Sequence, residues 1–211
     1  MIARPREPKG TPRQRALIEI TTLVTEAPWR VHRVAELDDD ALLHTIALSS
    51  YFGHLNRIAD AVAVPLDFTV RHAPPATDPT VPALAPAPSH RAGEPVLPLA
   101  RRPATAAAIE AWHAHVFDRD APLSRDERAH LQGWVAAWLG DPRRAAPAGT
   151  SDADLRRLAE LVTLAPWQLS DEVFAPLRAR GWDDAKLFDA VVTASTAGMI
   201  SRLHVALVAV G

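Results

Sequence analysis

The chain of 211 residues contains no cysteine, and that absence removes a whole class of chemistry. Disulfides, thiolate nucleophiles, cysteine-ligated zinc and iron–sulfur clusters are all excluded. An excess of basic charge is also lacking. Lys and Arg number 23 against 25 Asp and Glu, a formal net charge of -2, and the cations are scattered among the acids, so no basic face is offered to nucleic acid. No apolar run reaches the ~18 residues of a membrane span, and Met1 to Lys9 is basic and proline-bearing without an apolar signal core. The expectation is a cytoplasmic protein without nucleic-acid or membrane partners. Missing as well are a Gly-rich phosphate loop, a Gly-x-Ser-x-Gly elbow and a His-Glu-x-x-His segment.

What the chain does have is an internal repeat. Leu23-Val24-Thr25-Glu26-Ala27-Pro28-Trp29 returns, with one change, as Leu161-Val162-Thr163-Leu164-Ala165-Pro166-Trp167. A Pro-Trp pair after an apolar helical run reads as a helix end with an aromatic anchor. The likeness continues beyond it. Residues 37–64 align without gaps on 182–209 at a constant offset of 145, matching Asp38, Leu42, Ser50, Gly53, Arg57 and Ala61 to Asp183, Leu187, Ser195, Gly198, Arg202 and Ala206. The heptapeptides themselves sit at an offset of 138, so the second copy carries seven extra residues in a connection, where loops absorb insertions.

Helix signals account for nearly all of the chain outside one segment. Thr11-Pro12 starts a helix that stops before Pro28, a short helix follows over about 29–36, and Asp38-Asp39-Asp40 caps a long helix ending by Pro65. From Arg71 to Thr105 nine prolines and no apolar period mark a linker, within which Val96-Leu97-Pro98-Leu99 is apolar enough to dock on the body. Helices resume over about 104–117, after the capping box Ser124-Arg125-Asp126-Glu127, after Ser151-Asp152, after Ser170, and from Asp183 to about Val208. The reading is an all-α fold of duplicated helical hairpins in a pseudo-twofold arrangement: 1–70 as the first repeat, 71–104 as the linker, and 105–211 as the second.

Leu43, Ala47, Ser50, His54, Arg57 and Ala61 recur at helical spacing and share one face. Ser50, Gly53, Ser195 and Gly198 are small enough to let two long helices approach closely, so they read first as a packing seam. Arg57 and Arg202 must find acceptors on an apolar stripe: either helix-end carbonyls or an anionic ligand. His54 lies one turn from both Ser50 and Arg57, with Tyr51 and Asn56 on neighbouring faces. Where the first copy has Glu26, Tyr51 and His54, the second has Leu164, Thr196 and Met199. Those three differences nominate His54, Tyr51 and Glu26 for acid–base work, and Arg57, Asn56, Ser50 and Arg202 for ligand contacts. No metal or cofactor is expected; His113 and His115, two apart on a helix, diverge by about 200°. The six tryptophans, Trp112, Trp134 and Trp138 among them, read first as core or subunit contacts and second as a ligand box.

The stretch Leu48-Ser49-Ser50-Tyr51-Phe52-Gly53-His54-Leu55-Asn56-Arg57-Ile58-Ala59-Asp60 resembles the Tyr-Phe-x-x-x-Asn-Arg-x-Ala-Asp signature of peroxidase-related proteins in the alkylhydroperoxidase D-like, carboxymuconolactone decarboxylase superfamily. Leu123 to Arg128 resembles the opening of that superfamily's helical repeat, and the Leu-Val-Thr-x-Ala-Pro-Trp segments resemble the helix that follows in its longer members. The resemblance implies an all-helical repeated hairpin, a homo-oligomer and, in active members, a Cys-x-x-Cys pair that reduces peroxides. This chain departs there: Leu139-Gly140-Asp141-Pro142-Arg143-Arg144 stands where the cysteines and histidine belong, so it has no thiol peroxidase chemistry. Three expectations follow: a cysteine-less member binding a small molecule between helices, a non-catalytic helical oligomerisation module, or a cofactor-free, decarboxylase-like acid–base enzyme.

Overall fold

The computed structural model describes residues 10–63, 99–143 and 152–210. Among these the chain is all-helical, with seven α-helices and no strand. The capping signals act where the sequence puts them. Thr11 Oγ1 accepts from Gln14 N (3.3 Å) and Gln14 Oε1 accepts from Thr11 N (2.9 Å), opening α1, Pro12–Glu26. Asp38 Oδ1 accepts from Ala41 N (2.7 Å) at the head of α2, Asp39–Ala61, and Asp183 Oδ1 accepts from Lys186 N (2.8 Å) at the head of α7, Asp184–Ala209. Between them lie α3, Pro103–Phe117; α4, Arg125–Leu139, with its capping box closed; α5, Ala153–Leu164; and α6, Asp171–Ala179. Gly140, at φ 71°, stops α4 in the left-handed conformation that a side chain disfavours. Most of the 71–104 linker, the Pro65 stop and Ser151 lie outside the described residues.

The two heptapeptides fold alike. Ala27 (φ -151°, ψ 67°) and Ala165 (φ -148°, ψ 58°) end α1 and α5, each N–H returning 2.8 Å to the carbonyl of Leu23 or Leu161. A single 3-10 turn follows in both, Pro28–Arg30 and Pro166–Gln168. Two expectations are corrected here. The buried residue of each pair is the proline, while Trp167 is 56% exposed, so proline rather than tryptophan anchors that helix end. No α-helix occupies 29–36: after the 3-10 turn the backbone is extended at Val31, and Val31 and Leu37 both reach the same apolar cluster.

That cluster joins α1 and the first half of α2 (Leu42, Leu43, Ile46) to the last turns of α7 (Leu203, Ala206, Leu207). A second joins α4 and α5 to Ala61 at the end of α2 and to Leu187, Ala190 and Val191 at the start of α7. Thus α2 and α7 run antiparallel and cross near their middles. The 26-residue α7 is long and apolar enough, by length and composition, to cross a membrane, which corrects the reading that no such run exists. It is the core helix here, with 78% of its apolar window buried. By contrast α3 buries only Val116 and lies across the α2–α7 seam.

Candidate functional site

The α2 stripe faces inward as its spacing requires: Ser50, His54, Arg57 and Ala61 are all buried, as are Ser195, Met199, Arg202 and Ala206 on α7. The two arginines spend their hydrogen bonds reciprocally. From α2, Arg57 donates through Nε to the Thr163 carbonyl (3.3 Å) at the end of α5 and through Nη1 to the Gly53 carbonyl (2.7 Å). From α7, Arg202 donates through Nε to Thr25 O (3.1 Å) at the end of α1, through Nη2 to Thr163 O (3.0 Å) and through Nη1 to Gly198 O (3.4 Å). Thr25 and Thr163 are matching positions of the heptapeptide. Each guanidinium therefore satisfies carbonyls that a helix C-terminus leaves unpaired and complements the negative end of its dipole. Burial lowers the Arg57 pKa to about 10; burial, and then Arg57 itself, hold Arg202 well below the usual range.

This geometry gives Gly53 and Gly198 a different job from helix approach. A Cβ at either position would lie 2.9 Å from the Nη1 of the arginine one turn on, so the glycines make room for guanidiniums folded back onto their own helix.

His54 is 3% exposed, and it is bonded to Ser195 of α7. Ser195 Oγ lies 3.0 Å from the His54 carbonyl and 2.9 Å from His54 Nδ1. With the serine proton on that carbonyl, Nδ1 is the N–H donor to Oγ. The neutral tautomer therefore leaves Nε2 as a bare acceptor. Burial pushes the pKa of His54 below that of an ordinary imidazole; the Ser195 contact opposes this, and the nearby Arg57 charge reinforces it.

His54 lines a cleft of about 500 Å³ between α2, α3 and α7. Tyr51, Leu55 and Ile58 come from α2, Trp112 and His115 from α3, and Phe188, Asp189 and Val192 from α7. The Trp112 ring stands edge-on to His54, with centroids 6.1 Å apart, and stacks on His115 at 5.5 Å. Trp112 is held by its indole N–H, which donates to Thr196 Oγ1 (3.2 Å). Beside the cleft, Arg128 and Asp189 form a buried ion pair; Arg128 also donates to the carbonyls of Val116 (2.8 Å), Arg119 (3.1 Å) and Ala121 (3.2 Å). These contacts pin the loop between α3 and α4 to α7.

Of the residues nominated from sequence, the structure brings His54 and Tyr51 to this cleft, with ring centroids 6.5 Å apart. Ser50 lines a smaller cavity of about 240 Å³ with Met199, Tyr51 and Trp112, and donates to Ile46 O (2.9 Å). Arg57 and Arg202 line neither cavity, and the hydrogen bonds described above run to main-chain carbonyls. Asn56 and Glu26 are exposed and away from both. Sequence reasoning missed His115, Arg119, Phe188 and Asp189. The signal available for Asp189 was an acid among apolar residues one turn inside the long last helix, a position that demands a cation partner when buried. Among the described residues no group of three His, Asp or Glu side chains is placed to hold a metal ion. Comparison with protein families, curated proteins and solved structures finds no match to this chain.

Proposed function

We propose that this chain binds a small organic molecule in the cleft between α2, α3 and α7 and that His54 Nε2 acts there as a proton acceptor. The observation that carries the proposal is the His54–Ser195 pair: a buried imidazole with Nδ1 bonded to a serine, in a residue that lines a cleft of about 500 Å³. Such a volume and such a lining, mostly apolar with a few convergent polar groups, are what ligand sites have in common. A base of lowered pKa is unprotonated at neutral pH and ready to take a proton. On this reading the chain is a cysteine-less member of the alkylhydroperoxidase D-like superfamily. The reciprocal arginine bonds and the matching helix ends are what a duplicated hairpin related by a pseudo-twofold axis between α2 and α7 would produce.

Native mass spectrometry of the purified chain is the test. A bound small molecule is expected with the wild type and its loss with His54→Met, with the circular-dichroism spectrum unchanged. Wild-type protein that carries no ligand and shows no thermal shift across a small-molecule library refutes the proposal.

A second reading, self-association, is favoured by Leu48, Tyr51, Phe52 and Leu55, which stand exposed at helical spacing on α2 with Phe188 of α7 also exposed. On that reading Phe52→Glu lowers the mass measured by light scattering, and a monomer in both the wild type and Phe52→Glu removes it.

A further inference from the structure

The wall of the cleft carries charges and hydrogen bonds that do not balance. Three ionised side chains meet there: Arg119, Arg128 and Asp189. Asp189 accepts from Arg119 Nη2 (2.9 Å), Arg128 Nη1 (3.2 Å), Arg128 Nη2 and the Leu123 amide (3.1 Å), which fills the roughly four lone-pair sites of a carboxylate. Arg128 is likewise spent, donating from all three of its nitrogens. Arg119 is not. It lines the cleft, its side chain is 39% exposed, and its bond to Asp189 is the one it makes among the described residues, with Nε shut off from water and lacking an acceptor. One carboxylate against two guanidiniums leaves a single positive charge on the cleft wall, and His54, held neutral, adds none.

We infer that the cleft selects a monoanion with an apolar body, an organic acid whose carboxylate pairs with Arg119. The inference rests on the cleft being a ligand site, as proposed above. A carboxylate presents two coplanar oxygens to two adjacent N–H groups of a guanidinium, an arrangement that specifies orientation as well as charge. A surplus of one charge matches one carboxylate, and the apolar body would lie against the part of the wall that Leu55, Ile58, Phe188 and Val192 form. The Trp112 and Phe188 rings suit a flat or extended hydrocarbon body. Arg119 lies outside the segments that align between the two copies, on the loop that Arg128 ties down, so its position is set by the buried ion pair.

Matched acid and amide pairs separate charge from shape: 2-naphthoate with 2-naphthamide, and octanoate with octanamide. Titration calorimetry on the full chain is expected to show each acid binding at least about tenfold more tightly than its amide, in line with the doubled strength of charge-assisted bonds. Arg119→Gln abolishes the preference and Arg119→Lys restores part of it, while Arg128 and Asp189 keep each other paired. Equal affinities for acid and amide, or an acid preference that survives Arg119→Gln, overturn the inference and leave the cleft reading standing. Failure of all four compounds to bind overturns the inference, and the cleft reading then stands or falls on the mass spectrometry and thermal-shift test above.

Discussion

Position 54 on α2 and position 199 on α7 match in the repeat, and they are built differently. His54 is buried against Ser195 beside the larger cleft; Met199 is buried with Ser50 beside a cavity about half that size. Where the partner position offers no imidazole, the serine turns to its own helix: Ser50 donates to Ile46 O, whereas Ser195 reaches across to His54. One seam thus accommodates either an apolar thioether or a hydrogen-bonded histidine. Packing alone does not call for the histidine, because burying it requires a dedicated serine and lowers its proton affinity. Arg57 and Arg202 teach the converse. They are identical in both copies and do the same work in both, so they belong to the architecture.

Breaking the shared architecture carries the largest expected effect. Arg202→Met leaves the Thr25 carbonyl without its donor and removes one of the two guanidinium bonds to the buried Thr163, which keeps the one from Arg57, each lost partner costing about 1–3 kcal/mol. Urea unfolding is expected to show a loss of about 2–4 kcal/mol, and a smaller loss for Arg57→Met, which removes fewer carbonyl bonds. Gly53→Ala and Gly198→Ala come next: each new methyl must displace a guanidinium nitrogen 2.9 Å away, an overpacking cost of about 1–3 kcal/mol despite the better helix propensity of alanine. A gain in stability from either would show that the arginines are not fixed by the glycines.

Making the two positions alike has a smaller effect on folding and a larger one on the site. His54→Met leaves Ser195 with a carbonyl acceptor, so stability at pH 7 is expected to change by no more than about 1.5 kcal/mol, the range for a hydrophobic swap that conserves volume, while the ligand is lost. The smallest effect is in the pH dependence. Because the pKa of His54 in the fold lies below its unfolded value near 6.5, the unfolded chain binds the proton first. The stability contributed by a neutral His54 is complete above pH 6.5, falls as pH drops through that value, and levels off below the folded pKa. The difference between wild type and His54→Met in denaturant titrations should therefore shift between pH 7 and pH 5, and a constant difference would contradict the lowered pKa.

Local signals written into single segments were legible in the sequence. Thr11, Asp38, Ser124 and Asp183 cap the helices they precede, and the heptapeptides end two helices with the same backbone angles. His54 could be picked out because the repeat supplies its own reference at Met199. The other half of the site was not legible, because it arises from packing between segments distant in sequence. Trp112, His115 and Arg119 come from α3 and the loop after it, which have no counterpart in the repeat, and Asp189 faces the cleft only because Arg128 meets it from another helix. The glycines show the same limit. Spacing marked them as small for a reason, but only the folded arginines reveal the reason.

The proton on His54 is the most direct test of the account. A long-range ¹H–¹⁵N correlation spectrum at pH 7, with His54 assigned by its disappearance in His54→Met, is expected to show a neutral ring protonated at Nδ1 and bare at Nε2, with that pattern weakened in Ser195→Ala. A ring protonated at Nε2, or an imidazolium at pH 7, would contradict the assignment of His54 as the base of this cleft.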